Sequence, residues 1–413
     1  MKIPKVPLLA MFIATLTYTY IFELFGFRTK DFTAVPIDNT RHLMNNTTSN
    51  SNGKQVVTDI VSRKGQMQWG DGDHSNHDKR PNNVLPSNIS DKQYNFTYTD
   101  QMRSWLGDVA TVPSTLYTDV LLQPARLCPA DVPLDYLVVV KSAATHWSLR
   151  QAIRNTFGSA NIFGHLNHRL VFLLGRAVRP RHSRKISEES SVYNDIMQGD
   201  FLDSYHNLTL KGVMGLRWVN SFCRKTKVLI KTDDDTFTNI FGVVHRWIPD
   251  FSKRYRSIKC ITFDANVKPI KRGGGNWTKW AVDDDLFPGL DVFPFVHCNG
   301  GFVLITGDLV APMLAAVKVT PFFWIDDVYM YGLLTTTIGD VTHEQFEPPE
   351  ERIKMTYRVE EFKDCVASKG VLGCNILWVN QNSLNQTHFE KLWSLLTQTL
   401  NSSQKQILGL SIN

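Results

Sequence analysis

Three short runs from the middle of the chain, LDYLVVVKS from Leu134, HRLVFLLG from His168 and KVLIK from Lys227, are apolar almost without interruption. Runs of this length without a polar alternation read as strands buried on both faces. Longer segments separate them. HWSLRQAIRNTFG places Trp147, Ile153 and Phe157 at helical spacing, with Gly158 as its stop. SEESSVYNDIMQ reads as a helix with acidic residues in its first turn, and NLTLKGVMGLRWVNSFC as a longer helix. Strands alternating with helices predict an α/β fold, a mostly parallel sheet with helices on both faces. In such sheets ligands bind at the carboxyl ends of the strands.

The third run ends in KTDDDTFTN, Lys231 to Asn239. Three adjacent carboxylates repel one another, and a divalent cation reverses that logic. Alternate residues of an extended stretch point the same way, so Asp233 and Asp235 would face one ion while Asp234 turns elsewhere. Oxygen-only ligation suits Mn²⁺ or Mg²⁺. The bland alternative is a solvated acidic turn, or the cap of a helix in TFTNIFGVVHRWI. VDDDLF, Asp283 to Asp285, has no strand leading into it and reads as a surface loop.

The N-terminal segment VPLLAMFIATLTYTYIF carries no charge, and it continues past Glu23 to Phe27. As a helix it would be roughly 33 Å long, enough for a bilayer core. Its bulky end has no small-residue cleavage site, so an uncleaved anchor over 6–27 is expected, with a cleaved signal peptide as the alternative. The organisation that follows is a cytoplasmic tail (1–5), the anchor, a polar lumenal stem (28–125) and a lumenal catalytic domain (126–413). Eight N-x-S/T sequons fit that side of the membrane: Asn45, Asn46, Asn88, Asn95, Asn207, Asn276, Asn385 and Asn401. So do six cysteines, of which Cys365 and Cys374 are the nearest pair and the expected bridge. The net charge of +6 is spread without a basic stripe, which argues against nucleic acid as a partner.

Six stretches follow one family's order. RQAIRNTFG resembles R-x-x-I-R-x-T-W-G, and YNDIMQGDFLDSYHNLTLK resembles Y-x-D-I-x-x-x-D-F-x-D-x-Y-x-N-L-T-x-K. KTDDDTFTN, TKWAV, HCNGGFVL and IDDVYMYGLL resemble the metal motif, the K-W pair, the cysteine-glycine loop and E-D-V-Y-x-G. From about Cys128 to Cys374 the chain thus resembles the β1,3-galactosyltransferases, glycosyltransferase family 31, which include β1,3-N-acetylglucosaminyltransferases. The resemblance implies a GT-A fold, a Rossmann-like mixed sheet, with a UDP-sugar donor, Mn²⁺ and type II topology in the Golgi membrane. Phe157 stands where the family has tryptophan, and Asp326 where it has the glutamate of E-D-V.

The resemblance also implies an inverting displacement, with a glycan hydroxyl on a glycoprotein or glycolipid attacking as UDP leaves. Asp327 matches the family aspartate and is the expected base, with Asp326 its rival. Asp233 and Asp235 are the expected metal ligands, with His343 as a further candidate. Lys141, Arg150, Arg154 and Asp234 are candidates for the UDP-sugar. Arg150 and Arg154 are four apart and share a helix face. Gly300 and Gly301 would let backbone approach the sugar. Trp280, Trp324 and Asp326 are candidates for the acceptor or sugar pocket. Galactose is the expected sugar, with N-acetylglucosamine and N-acetylgalactosamine as alternatives. An inactive chaperone or lectin-like member and a metal phosphohydrolase are the other classes. A homodimer is left open.

Overall fold

The computed structural model describes residues 94–410 apart from 108–115, 117, 130–131, 274–277, 347–353 and 381–383. These residues all fall in the unit Asp78–Asn413. The expected tail, the anchor at 6–27 and Asn45, Asn46, Asn88 and Asn276 lie outside the described residues. Among the described residues no helix is long and apolar enough to cross a membrane.

Strands are β1 Val120–Leu122, β2 Leu134–Lys141, β3 His168–Arg176, β4 Ile196–Leu202, β5 Thr226–Asp233, β6 Thr236–Thr238, β7 Ser257–Cys260, β8 Thr262–Phe263, β9 His297–Cys298, β10 Phe302–Thr306, β11 Thr342–Gln345, β12 Lys354–Thr356 and β13 Ile376–Asn380. The longer helices are α1 Trp147–Asn155, α2 Pro180–Tyr193, α3 Leu208–Phe222, α4 Val310–Val317, α5 Val359–Gly373 and α6 Gln386–Thr399. The main sheet has the order β1-β4-β3-β2-β5-β10-β7-β11. Its centre, β4-β3-β2-β5, is parallel. Strands β2, β3 and β5 are buried along most of their length, so both faces of the sheet are covered, as expected of an α/β fold. Helix α3 packs over β2, β3 and β4 and against α4, while α1 packs on α6. Phe157, in the family tryptophan's place, is buried between Phe237 and Phe389.

Two expectations need correction. SEESSVYNDIMQ is not one helix. Asn194 adopts a left-handed conformation (φ 49°) and ends α2, and Ile196 opens β4 two residues later. The stem, expected to run to 125, gives up its end to the fold. A helix at Asp100–Leu106 buries Met102, Trp105 and Leu106, and Trp105 packs against Phe295 at 5.3 Å between ring centroids. Val120 then pairs with Gly199 as an antiparallel edge strand.

Three disulfides close the unit: Cys128–Cys223, Cys260–Cys298 and Cys365–Cys374. Of the described sequons, Asn95, Asn385 and Asn401 are exposed. Asn385 and Asn401 cap helices through their side-chain oxygens, whereas the Asn207 amide donates to the Leu202 carbonyl at 2.8 Å.

Candidate active site

Lys141 ends β2 and Asp233 ends β5, and the two are partners in the parallel register. Strand β10 runs antiparallel to β5, with Phe302 opposite Thr232. That reversal carries Gly300 and Gly301, which precede β10, to the same edge. The chain after α4 returns there with Asp326 and Asp327, in the first turn of a short helix that continues into a π-helical turn at Tyr329–Leu333. Single π-turns of this kind are common beside functional residues. These residues line one open cavity of about 890 Å³.

Charge on the cavity floor is paired selectively. The Lys141 ammonium meets Asp326, and Lys231 donates to Asp233 at 2.8 Å and to the Gly300 carbonyl. Lys211 bridges Asp203 at 3.0 Å and the Ser142 carbonyl at 2.7 Å. Burial pushes the Asp326 carboxyl up, but Lys141 and Lys231 outweigh it and hold the group below its usual range. Asp327 makes no ion pair among the described residues, and the pull of Lys231 and Lys141 on it is outweighed. Burial, then repulsion from Asp326, push it up to about 6, and its Oδ1 accepts the Val328 amide at 2.9 Å.

Strand β5 ends at Asp233, so the expected alternation stops there, and Asp234 and Asp235 form the turn into β6. Asp234 turns its Oδ2 onto Ser142 Oγ (2.7 Å), the Ala143 amide (3.0 Å) and His146 Nδ1 (3.0 Å). Asp233 is raised by burial, with Lys231 and Lys141 opposing the shift. Burial and then its two aspartate neighbours push Asp235 up to about 6. Among the described residues no cluster of three or more histidine, cysteine or carboxylate side chains is arranged to hold a metal. The donor set on offer is two hard carboxylates. Carboxylates are the ligand type that an oxygen-seeking divalent cation takes, although Lys231 holds Asp233 at 2.8 Å here.

Four expected contacts are not made. Arg150 lies fully buried beneath the floor. It grips Glu189 at 2.8 and 2.6 Å and donates to Ser142 Oγ and the Ala143 carbonyl. Arg154 is bound to Glu189 and Asp195 and covers the Tyr193 ring. The shared helix face was right, but it looks toward α2 and the start of β4, where two carboxylates are waiting. Neither guanidinium reaches the cavity, and Arg150 instead braces the loop that holds Asp234. His343 sits on the edge strand β11, where its Nε2 meets the Tyr331 carbonyl at 2.8 Å, away from the aspartates. Trp324 does not line the cavity either, but packs on His206 and Tyr205. Lys141 lines the cavity, yet Asp326 takes up its charge.

Trp280, Gly300, Gly301 and Asp326 do line the cavity. A methyl group added at Gly300 would fall 2.9 Å from the Asp327 Cβ, so only glycine allows this approach. Sequence reading missed Lys231, Tyr205, Asn299 and Asn380, all of which line the cavity. Lys231 had a signal: it sits two residues before Asp233, on the same side of the strand. Asn380 had none, because β13 reaches the site only through its pairing with β6.

The galactosyltransferase family model matches residues 148–347, from α1 to just past β11. Human "Beta-1,3-galactosyltransferase 1" is 30% identical over 254 residues, covering 61% of this chain and 73% of that protein. The chain belongs to the β1,3-galactosyltransferase family. A human "Acetylgalactosaminyl-O-glycosyl-glycoprotein beta-1,3-N-acetylglucosaminyltransferase" is 33% identical over 213 residues, covering 50% of this chain and 53% of that one. Among solved structures, the apo WbbM bifunctional glycosyltransferase matches at 9% identity and a TM-score of 0.34, over 68% of this chain and 52% of that one. So distant a likeness adds nothing to the family assignment.

Proposed function

We propose that this family member is an inverting β1,3-hexosyltransferase of GT-A type that moves galactose from UDP-galactose to a glycan hydroxyl on a glycoprotein or glycolipid. It would work in the Golgi lumen behind its N-terminal anchor. The observation that carries this reading is the sorting of charge on one cavity floor. Asp326 pairs with Lys141, while at Asp327, one residue on, burial and the charge of Asp326 outweigh the pull of Lys231 and Lys141. An inverting displacement needs one carboxylate free to take a proton, and Asp327 is that group.

Asp233 and Asp235 would hold Mn²⁺ or Mg²⁺, which when bound supplies Lewis-acid stabilisation of charge on the departing diphosphate. The protein's own residues do the remaining work. Asp327 accepts the acceptor's hydroxyl proton as the new bond forms. The Gly300–Gly301 backbone leaves room for the sugar beside it. Lys141 keeps Asp326 ionised and in place, so that two neighbouring carboxylates do not share one proton.

The test is transfer from UDP-galactose by the lumenal fragment with Mn²⁺, against UDP-N-acetylglucosamine and UDP-N-acetylgalactosamine. Turnover is expected with UDP-galactose, abolished by EDTA and restored by Mn²⁺. Transfer that survives chelation removes the cation from the reading. Preference for an N-acetylhexosamine donor changes the sugar and keeps the reaction.

A further inference from the structure

The floor and the mouth of the cavity treat lysine differently. On the floor, Lys141, Lys211 and Lys231 each meet an aspartate. At the mouth stand Lys268, Lys271 and Lys279, which line the same cavity, and neither Lys268 nor Lys279 has a carboxylate partner among the described residues. Aromatic rings lie beside all three. Lys268 Nζ lies 4.1 Å from the Phe263 ring centroid. Lys279 Nζ lies 4.4 Å from that of Tyr205, and Lys271 Nζ 5.2 Å from that of Trp280. Trp280 is held in turn by its Nε1, which donates to the Tyr205 hydroxyl at 2.6 Å. The like charges feel one another: burial and then Lys268 push the Lys271 ammonium down.

Aromatic faces reduce the cost of gathering these cations, but they do not neutralise them. The charge of Lys268 and Lys279, lining a cleft, raises the local concentration of an anion and fixes its orientation. The wall also adjoins the reacting carboxylates. Burial raises the Tyr205 hydroxyl to about 12, and Asp326 and Asp327 add to that rise. A sugar ring laid on Trp280 and Tyr205, with an acidic substituent on the lysines, would therefore lie beside the base.

We infer that the mouth is an acceptor subsite for an acidic glycan, in which Lys268, Lys271 and Lys279 receive a sulfate or carboxylate on the acceptor. The inference rests on the transferase reading above and names the acceptor class for that site.

Matched oligosaccharide acceptors test it. One pair differs only by a sulfate, and the other by glucuronate in place of glucose, each read at saturating UDP-sugar. The wild-type enzyme should prefer the acidic member of at least one pair, and which pair it is separates sulfate from carboxylate. In Lys268→Gln/Lys279→Gln the acidic-to-neutral ratio of kcat/KM should fall about tenfold, the sum of two modest charge contacts. Lys268→Arg/Lys279→Arg should keep the preference. The subsite is overturned if wild type uses both members equally, if the variant loses both equally, or if the loss follows a rise in the KM for UDP-sugar. That last result would assign the lysines to the donor's diphosphate. No transfer from any UDP-sugar to any acceptor would instead bring down the transferase reading itself.

Discussion

Asp326 and Asp327 are the same residue type in adjacent positions, and the fold gives them opposite chemistry. Lys141 holds the first ionised, while burial and the first aspartate's charge raise the second to about 6. A base acts only when ionised, so kcat/KM should fall as the pH drops through about 6 and level off above it. A pH–rate profile checks this, and one that stays flat down to pH 5 would take the role from Asp327. Substitution should separate the two residues. Asp327→Asn removes the base and should lower kcat by about 10²–10⁴-fold. It also removes a repulsion, so the melting temperature should hold or rise. Asp326→Asn leaves the Lys141 ammonium buried without its partner, at about 3–5 kcal/mol of stability. Thermal melting should therefore mark Asp326 and kinetics should mark Asp327.

At the scale of elements, the loop from β9 into β10 matters because it is where backbone meets the base. Gly300→Ala would press a methyl group against the Asp327 Cβ, 2.9 Å away. Because a displacement of about 1 Å can cost about 10²-fold in rate, the variant should lose about 10–10²-fold in kcat with little change in donor KM. Steady-state kinetics decide it, and full activity would mean that Asp327 does not depend on this approach. The strands around this loop were readable for a simple reason. Residues such as Val138, Val171 and Ile230 are buried in a sheet covered on both faces, so polarity is absent from the run itself. Strand β4 was not readable, because IMQGDFL mixes polar and apolar residues. Its Gln198 is satisfied by the Gly175 carbonyl at 2.9 Å, a partner 23 residues away. The arginines of α1 misled for the same reason. Spacing gave their shared face, but not Glu189 and Asp195, which lie 39 and 41 residues further on. The aspartates of DDD were legible as a charged end to a buried strand, but strand alternation does not reach past Asp233: Asp234 and Asp235 form a turn, in which Asp234 meets Ser142.

At the scale of the molecule, the boundary of the folded unit is the part that composition misplaced. The segment before Cys128 is polar on average, and averages hide a few anchoring residues. Met102, Trp105, Leu106, Leu116 and Val120 are all buried. The Trp105 carbonyl receives the Phe287 amide, and the Asp119 carbonyl receives the Asp200 amide at 2.8 Å beside the edge strand. A fragment starting at residue 126 would expose the apolar surface these side chains cover and leave β4 as an open edge. Large buried side chains contribute about 1.5–3 kcal/mol each, so the loss is on the order of 5 kcal/mol even after allowing for a compact unfolded state. For a unit of this size that corresponds to a melting temperature lower by about 5–10 °C. Comparing fragments 94–413 and 126–413 by thermal melting measures the difference. Trp105→Ala within 94–413 should reproduce part of it, because the chain length is then unchanged. If the two fragments melt together, the segment from 94 is a stem after all. If the shorter one melts early, the folded unit begins by residue 94, earlier than composition alone implies.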